Sequence, residues 1–374
     1  MRITGIEIIP LRLPLTEPFV ISYGVFPDVE SVLVRLETDI GVTGWGEGTP
    51  DPIVTGETLG GVLETVKAIA PALLGRDPRD RDGCMRAVHA RVGASPSAKA
   101  ALDIALHDVV ARAAGLPLWA LLGGRSKPYL TISRVVSIKT PDAMAADAAQ
   151  HVANGFRTVK LKLGTYDDVR LDIRRVAAVR EAVGPEIKIK IDVNQGWRNA
   201  GVAVLGARGI ATYHPEYLEQ PVDMHDLEGL ADVRRASGLP IMADESIHSS
   251  RDALRAVQLR ACDLMNIKLM KTGGLLEAVR VNTIAETAGI VCQVGTMVES
   301  SIASAAGLHL AMALHNVETV EMGGPLMLAE DIGGLRAHYD RDQVTLPEGP
   351  GLGVDPDEAI IARYAPEGRV WLRA

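Results

Sequence analysis

Cysteine is scarce in this chain. Its three copies, Cys84, Cys262 and Cys292, lie far apart among 374 residues, with no CxxC pair. They offer no disulfide framework and read as reduced core residues of a cytoplasmic protein. Positive charge is also short: 39 Lys and Arg stand against 47 Asp and Glu, leaving a net charge of −8. The basic residues are scattered, so the field that draws nucleic acid is missing. No apolar run approaches the roughly 20 residues that span a bilayer, and no membrane role is expected. The opening stretch MRITGIEIIPLRLPL alternates polar and apolar residues, the pattern of a strand and not of a signal peptide. No GxGxxG or GxxxxGKS/T follows a strand pattern, so a nucleotide site has no support.

What is present divides into two kinds of text. Apolar residues make up 47% of the chain, enough for a sizeable core. Residues 1–50 read as antiparallel β, with strand patterns at 3–13 and 31–37 joined by a loop through Pro18, Gly24 and Pro27. From about 62 to 122 the spacing is helical, and Gly123-Gly124 ends it. From 129 onward strands and helices alternate. Strands are predicted at 131–138, 158–163, 187–192, 217–219, 241–244, 263–268, 290–294 and 317–322. Eight strands spaced by about 27 residues predict an α/β protein with a TIM-type barrel rather than an open doubly wound sheet. After Gly324-Pro325 the tail turns irregular and is expected to pack back on the first domain.

Three of these strands end in an acid. IKIKIDVNQGW delivers Asp192, YLEQP delivers Glu219 and PIMADE delivers Asp244. Successive acids are 27 and 25 residues apart, about one strand and one helix each. In a barrel the carboxyl ends of strands carry the chemistry. Lys160 and Lys162 share one face of the second strand, since side chains two apart point the same way. Lys268 ends the sixth. Four steps of eight is half the circle, so Lys162 and Lys268 face each other across the mouth. Three hard oxygen ligands, without histidine or cysteine, suit Mg²⁺ rather than zinc. A small carboxylate substrate between the two lysines would lose its α-proton to one of them, giving an enediolate whose charge the metal offsets. Two bases on opposite faces are the geometry of a racemase or epimerase. One-base cycloisomerisation or elimination fits as well. A lysine with pKa about 10.4 is a poor base at neutral pH. Lys160 as a cationic neighbour would lower that value, and the carboxylates would oppose it.

Other charged residues have plainer readings. Lys190 reads as a counter-charge to the acids, and Lys188 as a group at the lower rim. Glu245 follows Asp244 and would point to the opposite face, as a ligand or a helix cap. Lys271 lies past the strand end, either solvated or near substrate. His107 sits in a helical stripe and is structural. Glu299 follows the seventh strand with Thr296 and Met297, and is a candidate for the mouth.

These motifs resemble the enolase superfamily, and within it the muconate lactonizing enzyme subgroup. The resemblance is carried by K-x-K at Lys160 and Lys162, D-x-N-Q-G-W from Asp192, E-Q-P from Glu219, A-D-E-S at Asp244 and N-I-K-L-M-K-x-G-G around Lys268. It implies an α+β capping domain (1–125), a modified (β/α)7β barrel (126–325) and a C-terminal return completing the capping domain (326–374). It implies Mg²⁺ on Asp192, Glu219 and Asp244, an acid/base pair of Lys162 and Lys268, Lys160 tuning Lys162, and a homo-oligomer. Within the subgroup the chain looks most like the dipeptide epimerases, through Thr55-Gly56-Glu57-Thr58, Ser97-Ala98-Lys99-Ala100-Ala101 and the residues around Lys268. Those enzymes carry Asp-x-Asp after strand eight to grip the substrate ammonium, where this chain has Glu321-Met322-Gly323. The first capping loop, residues 19–24, holds no cation, so a dipeptide other than Ala-Glu is expected. Tyr23 and Ile53 on the capping loops, with Thr296, Met297, Glu299, Glu321 and Gly323, are the expected substrate contacts. The alternatives are a muconate-type cycloisomerase and an N-acylamino acid racemase. A barrel that binds a carboxylate without turnover is disfavoured by the two lysines.

Overall fold

The computed structural model describes residues 1–365 and 368–373. A four-stranded antiparallel sheet forms the cap, in the order Val370–Arg373, Ile3–Ile21, Gly24–Thr38, Thr43–Gly48. The first two strands form one long hairpin, which corrects the loop expected through Pro18, Gly24 and Pro27. Phe19, Val20 and Ile21 pair with Phe26, Val25 and Gly24, and only Ser22 and Tyr23 are left to turn. Pro18 and Pro27 both fall in the register shift between Pro14 and Phe19, where no ladder hydrogen bond is needed from them. The hairpin therefore reaches further than its prolines suggest. The tail does return, as Val370–Arg373 against residues 5–8. Residues 366, 367 and 374 of the expected return lie outside the described residues.

Helix Pro96–Ala113 is buried on nearly all sides, between the capping sheet and the segments Leu269–Thr272 and Leu275–Thr287. Its close approach depends on Gly44, Gly46 and Gly48, alternate residues on one face of the third strand. A Cβ at Gly46 would lie 1.9 Å from the Ala101 carbonyl oxygen, and one at Gly48 would lie 2.3 Å from that of Ser97. Backbone meets backbone here. Gly46→Ala is expected to lower stability by about 3 kcal/mol through overpacking. Urea unfolding checks this, and an unchanged midpoint would show that the helix yields freely.

The second sheet has eight parallel strands in sequence order: Arg134–Val136, Thr158–Lys162, Lys188–Asp192, Leu218–Glu219, Ile241–Ala243, Leu264–Ile267, Val291–Val294 and Val317–Val320. A parallel bridge between Ile132 and Val320 brings its two ends together. Each predicted strand is present, trimmed by a residue or more at one end or both. Seven helices of ten or more residues connect the strands, which gives the (β/α)7β pattern. Six of the seven begin at their own side-chain cap: Thr140, Asp168, Asn199, Asp226, Ser249 and Ser300. The seventh, Leu275–Thr287, begins at Gly274 with no cap of its own. Among the described residues no helix is long and apolar enough to cross a membrane. The three cysteines are free and buried.

Candidate active site

The strand register places the acids. Lys162, Asp192 and Glu219 are paired neighbours across strands two, three and four. Asp244 lies two residues past Met242, the partner of Glu219, so it shares that face one pleat higher. All three acids are fully buried, and one oxygen from each lies within 4.8 Å of the others. Buried carboxylates normally have their lone pairs filled. Glu219 Oε2 and Asp244 Oδ2 accept no well-directed hydrogen bond, although lysine Nζ atoms lie at 2.8 and 2.7 Å. Converging hard oxygens with free lone pairs fit a divalent cation such as Mg²⁺.

Lysines surround this triad. Lys162 Nζ lies 2.6 Å from Asp192 Oδ2 and donates to Asn194 Oδ1 at 3.0 Å. Lys268 Nζ lies 2.7 Å from Asp244 Oδ2. Burial alone would push the Lys268 ammonium down. Asp244, Glu245, Asp192 and Glu219 outweigh that and hold it well above the usual lysine range. Lys160 lies below the mouth, 3.1 Å from Asp192 Oδ2 and 2.8 Å from Glu219 Oε2, and it also pairs with Glu321. It does not line the cavity, so it is not in reach of a substrate there. Its link to Lys162 runs through Asp192 Oδ2, the oxygen both lysines approach. Lys190 donates to Gln293 at 3.1 Å inside the barrel, and Lys188 pairs with Glu216 on the exposed side.

Two expectations about this centre are corrected. Lys271 is neither solvated nor at the mouth. Residues Leu269–Thr272 wind into a helical turn that folds it back onto Asp244 Oδ1 at 2.6 Å and the Asn266 carbonyl at 3.0 Å. Glu245 does not point away. The strand ends at Ala243, so alternation stops before it. Its Oε1 accepts from Asn194 Nδ2 at 2.9 Å, and burial with the adjacent Asp244 pushes its carboxyl up to about 7.

Above the lysines is a cavity of about 240 Å³. Lys162, Lys268 and Asn194 are on its lining. Phe19, Ile21, Tyr23 and Phe26 from the hairpin tip face them, and Thr49 to Pro52 and Thr296 to Val298 complete the wall. Of the expected substrate contacts, Tyr23, Thr296 and Met297 line this space. Four do not. Ile53 is half exposed, because its N–H and that of Val54 turn back onto Asp51 Oδ1 at 2.7 and 2.8 Å. Glu299 is buried behind the wall with the Thr296 hydroxyl donating to it, and burial lifts its carboxyl to about 7. Glu321 is drawn inside by Lys160, with Tyr217 Oη at 3.4 Å and Lys190 at 3.9 Å. Gly323 has no side chain to offer and is not on the lining. Thr55 to Thr58 do not line the cavity either, and Glu57 caps helix Pro96–Ala113, accepting from Ser97 N at 2.8 Å.

Sequence reading missed Asn194, Asn266, Asp28 and Asp51. Asn266 donates to Glu219 Oε1 at 2.8 Å. The two-residue period would have found it, since it lies two before Lys268, whereas Asn194 lies past the end of its strand with a left-handed φ of 42° and has no such signal. Asp28 and Asp51 line one cavity only because the hairpin and the next loop fold over the same mouth. Val298 holds a left-handed φ of 68°, which no local signal announces in a β-branched residue.

A capped parallel barrel with a buried triad on strands three to five and lysines on strands two and six defines an enzyme of the enolase superfamily. Residues 143–360 match the family described as Enolase C-terminal domain-like, and residues 3–123 match the N-terminal domain of Mandelate racemase / muconate lactonizing enzyme. The chain belongs to the mandelate racemase and muconate lactonizing enzyme family, and it is an isomerase of the racemase and epimerase kind. The N-succinyl-L-Arg/Lys racemase of Bacillus cereus is 42% identical over 362 residues, 96% of this chain and 97% of that protein. A crystal structure of that racemase covers 100% of both chains with a TM-score of 0.97 at 41% identity. The hydrophobic dipeptide epimerase of Enterococcus faecalis is 39% identical, over 95% of this chain and 99% of its own. A dipeptide epimerase structure from that organism, complexed with Mg and L-Leu-L-Tyr, gives a TM-score of 0.91 at 38% identity, over 95% of this chain and 100% of that one. Muconate cycloisomerase 1 of Rhodococcus opacus is 34% identical, over 95% of this chain and 96% of its own.

Proposed function

We propose that this enzyme racemises an N-acylated amino acid with a cationic side chain, by two-base chemistry at Lys162 and Lys268. The observation that carries the reading is the position of Glu321. A dipeptide epimerase needs a carboxylate for the substrate ammonium. Here the eighth strand's one candidate is held inside by Lys160, and residue 323 is glycine. An acylated nitrogen carries no charge and needs no such partner. The Bacillus cereus relative, named for N-succinyl-Arg/Lys, supports this over the dipeptide reading.

Asp192, Glu219 and Asp244 would hold Mg²⁺. Bound there, it supplies positive charge against the charge that builds on the substrate carboxylate as the α-proton leaves, and it offsets the acids that keep Lys268 protonated. One lysine Nζ takes the α-proton from its face, and the other Nζ delivers a proton to the opposite face, which inverts the carbon. Phe19, Ile21, Phe26 and Met297 exclude water from that exchange. Asp28 pairs with Pro14 through its backbone, but among the described residues its carboxylate takes part in no hydrogen bond or ion pair, whereas Glu30 is joined to Arg12 at 2.5 Å and Asp51 to Tyr23 at 3.0 Å. Asp28 is therefore the partner for a cationic side chain.

Proton NMR in D₂O with Mg²⁺ tests the reading. N-succinyl-arginine and N-succinyl-lysine are expected to lose the α-proton signal and racemise, ahead of N-succinyl-leucine and of free dipeptides. Inversion of dipeptides without any turnover of N-succinyl substrates would overturn it. Asp28→Asn is expected to raise KM for N-succinyl-arginine about tenfold, equivalent to roughly 1.4 kcal/mol, and to leave that for N-succinyl-leucine unchanged.

A further inference from the structure

Each of the two lysines is followed by a turn, and each turn is fixed at its far side by one fully buried aspartate. After Lys162, the chain passes through Leu163 to Gly164 and Thr165. The N–H groups of Gly164 and Thr165 donate to Asp172 Oδ2 at 3.0 and 2.8 Å. The same oxygen accepts from Trp197 Nε1 at 2.8 Å, and Oδ1 accepts from Arg175 at 2.7 Å. Trp197 is the last residue of the segment that begins at Asp192. One carboxylate thus ties the turn after the first base to the turn after the first acid of the triad.

After Lys268, the turn Leu269–Thr272 leads through Gly273 and Gly274 into helix Leu275–Thr287. Its interior is tightly bonded, with Gly274 N donating to Leu269 O at 3.0 Å and the Thr272 hydroxyl to Gly274 O at 3.0 Å. This is the one connecting helix of the seven without its own cap. The missing cap comes from helix Pro96–Ala113. Asp103 Oδ2 accepts the N–H of Leu275 at 2.5 Å and that of Leu276 at 3.3 Å. A Cβ at Gly274 would lie 2.3 Å from that oxygen, so glycine is what lets the carboxylate in. His107 Nδ1 lies 3.5 Å away, its imidazole held below the usual range by burial, and Arg81 also acts on the carboxylate.

We infer that Asp103 and Asp172 are positioning residues, one for each base: Asp103 sets Lys268 and Asp172 sets Lys162. Neither touches the cavity. Each holds the backbone from which its lysine reaches the α-carbon, and the two holds are built from different parts of the fold. The second base is thus placed by the capping helix, not by the barrel alone. The inference rests on the two-base reading, since it assigns one aspartate to each face of the substrate.

A positioning role predicts asymmetry, which simple destabilisation does not. The test follows α-proton exchange in D₂O with Mg²⁺, starting separately from N-succinyl-L-arginine and N-succinyl-D-arginine. Asp103→Ala is expected to slow exchange at least about tenfold for the enantiomer whose α-proton faces Lys268, and to spare the other. Asp172→Asn is expected to do the reverse. The ratio of the two rates within one sample does not depend on how much protein is folded. Asp103→Asn, whose amide oxygen can still accept both N–H groups, should restore much of the loss, and Trp197→Phe should show the Asp172 effect in milder form. A second readout needs no substrate. In protein labelled with ¹³C at lysine Cε and assigned with Lys162→Arg and Lys268→Arg, each aspartate variant should shift its own lysine and leave the other in place. Equal slowing of both enantiomers, or lysine shifts that are shared or absent, would overturn the inference. A wild type that exchanges neither enantiomer would instead count against the proposed substrate, with the lysine shifts still deciding the positioning role.

Discussion

Lys268→Ala is expected to lower racemisation by about 10²–10⁴-fold while α-proton exchange continues from one enantiomer. The surviving enantiomer is the one whose α-proton faces Lys162, which can still remove a proton and return deuterium to the same face. Lys162→Ala should give the mirror result. The fold should tolerate the first change. Without Lys268, Asp244 keeps Lys271 at 2.6 Å, so its buried charge retains a partner. The loss then belongs to the chemistry. Equal loss of exchange from both enantiomers would point to a single base with an electrostatic partner, the arrangement a cycloisomerase would use. Full racemisation in either variant would sink the two-lysine scheme.

The barrel and its acids were legible because their signals are local. Strands covered on both faces read as short Ile, Val and Leu runs, and each triad acid ends such a run. Lys162 and Lys268 followed from strand count alone. What was not legible depends on the choice of partner in three dimensions. Five acids and five lysines crowd the interior: Asp192, Glu219, Asp244, Glu245 and Glu321 against Lys160, Lys162, Lys190, Lys268 and Lys271. Sequence spacing cannot say that Lys160 takes Glu321 out of the mouth, and that one pairing changes the expected substrate. Alternation carried past Ala243 misdirects Glu245, and nothing local shows that the turn Leu269–Thr272 folds Lys271 back onto Asp244. The hairpin was underestimated because Pro18 and Pro27 look like breakers until the bulge that accommodates them is seen.

Asp244→Asn is expected to have the largest effect on the protein as a whole, because this carboxylate has two duties. Its oxygens face Lys271 at 2.6 Å and Lys268 at 2.7 Å, and all three groups are buried. Neutralising it leaves two ammonium groups short of a counter-charge, and Lys271 is fully enclosed where water cannot reach it. Breaking a buried pair in this way costs about 3–5 kcal/mol. The same change removes a ligand from the triad, so Mg²⁺ affinity and turnover should fall together. Unfolding with and without Mg²⁺ separates the two duties. If the triad binds Mg²⁺, the wild type gains about 2.7 kcal/mol at a concentration 100 times its dissociation constant. Asp244→Asn should start lower and gain much less. Glu219→Gln is the informative comparison. Its neighbour Lys160 keeps Asp192 at 3.1 Å and also Glu321, so no ammonium is stranded. That variant should lose the Mg²⁺ gain while keeping most of the metal-free stability. A wild type whose unfolding ignores Mg²⁺ would remove the triad from metal binding. Equal metal-free stabilities for the two variants would show that Asp244 is not the counter-charge on which Lys268 and Lys271 depend.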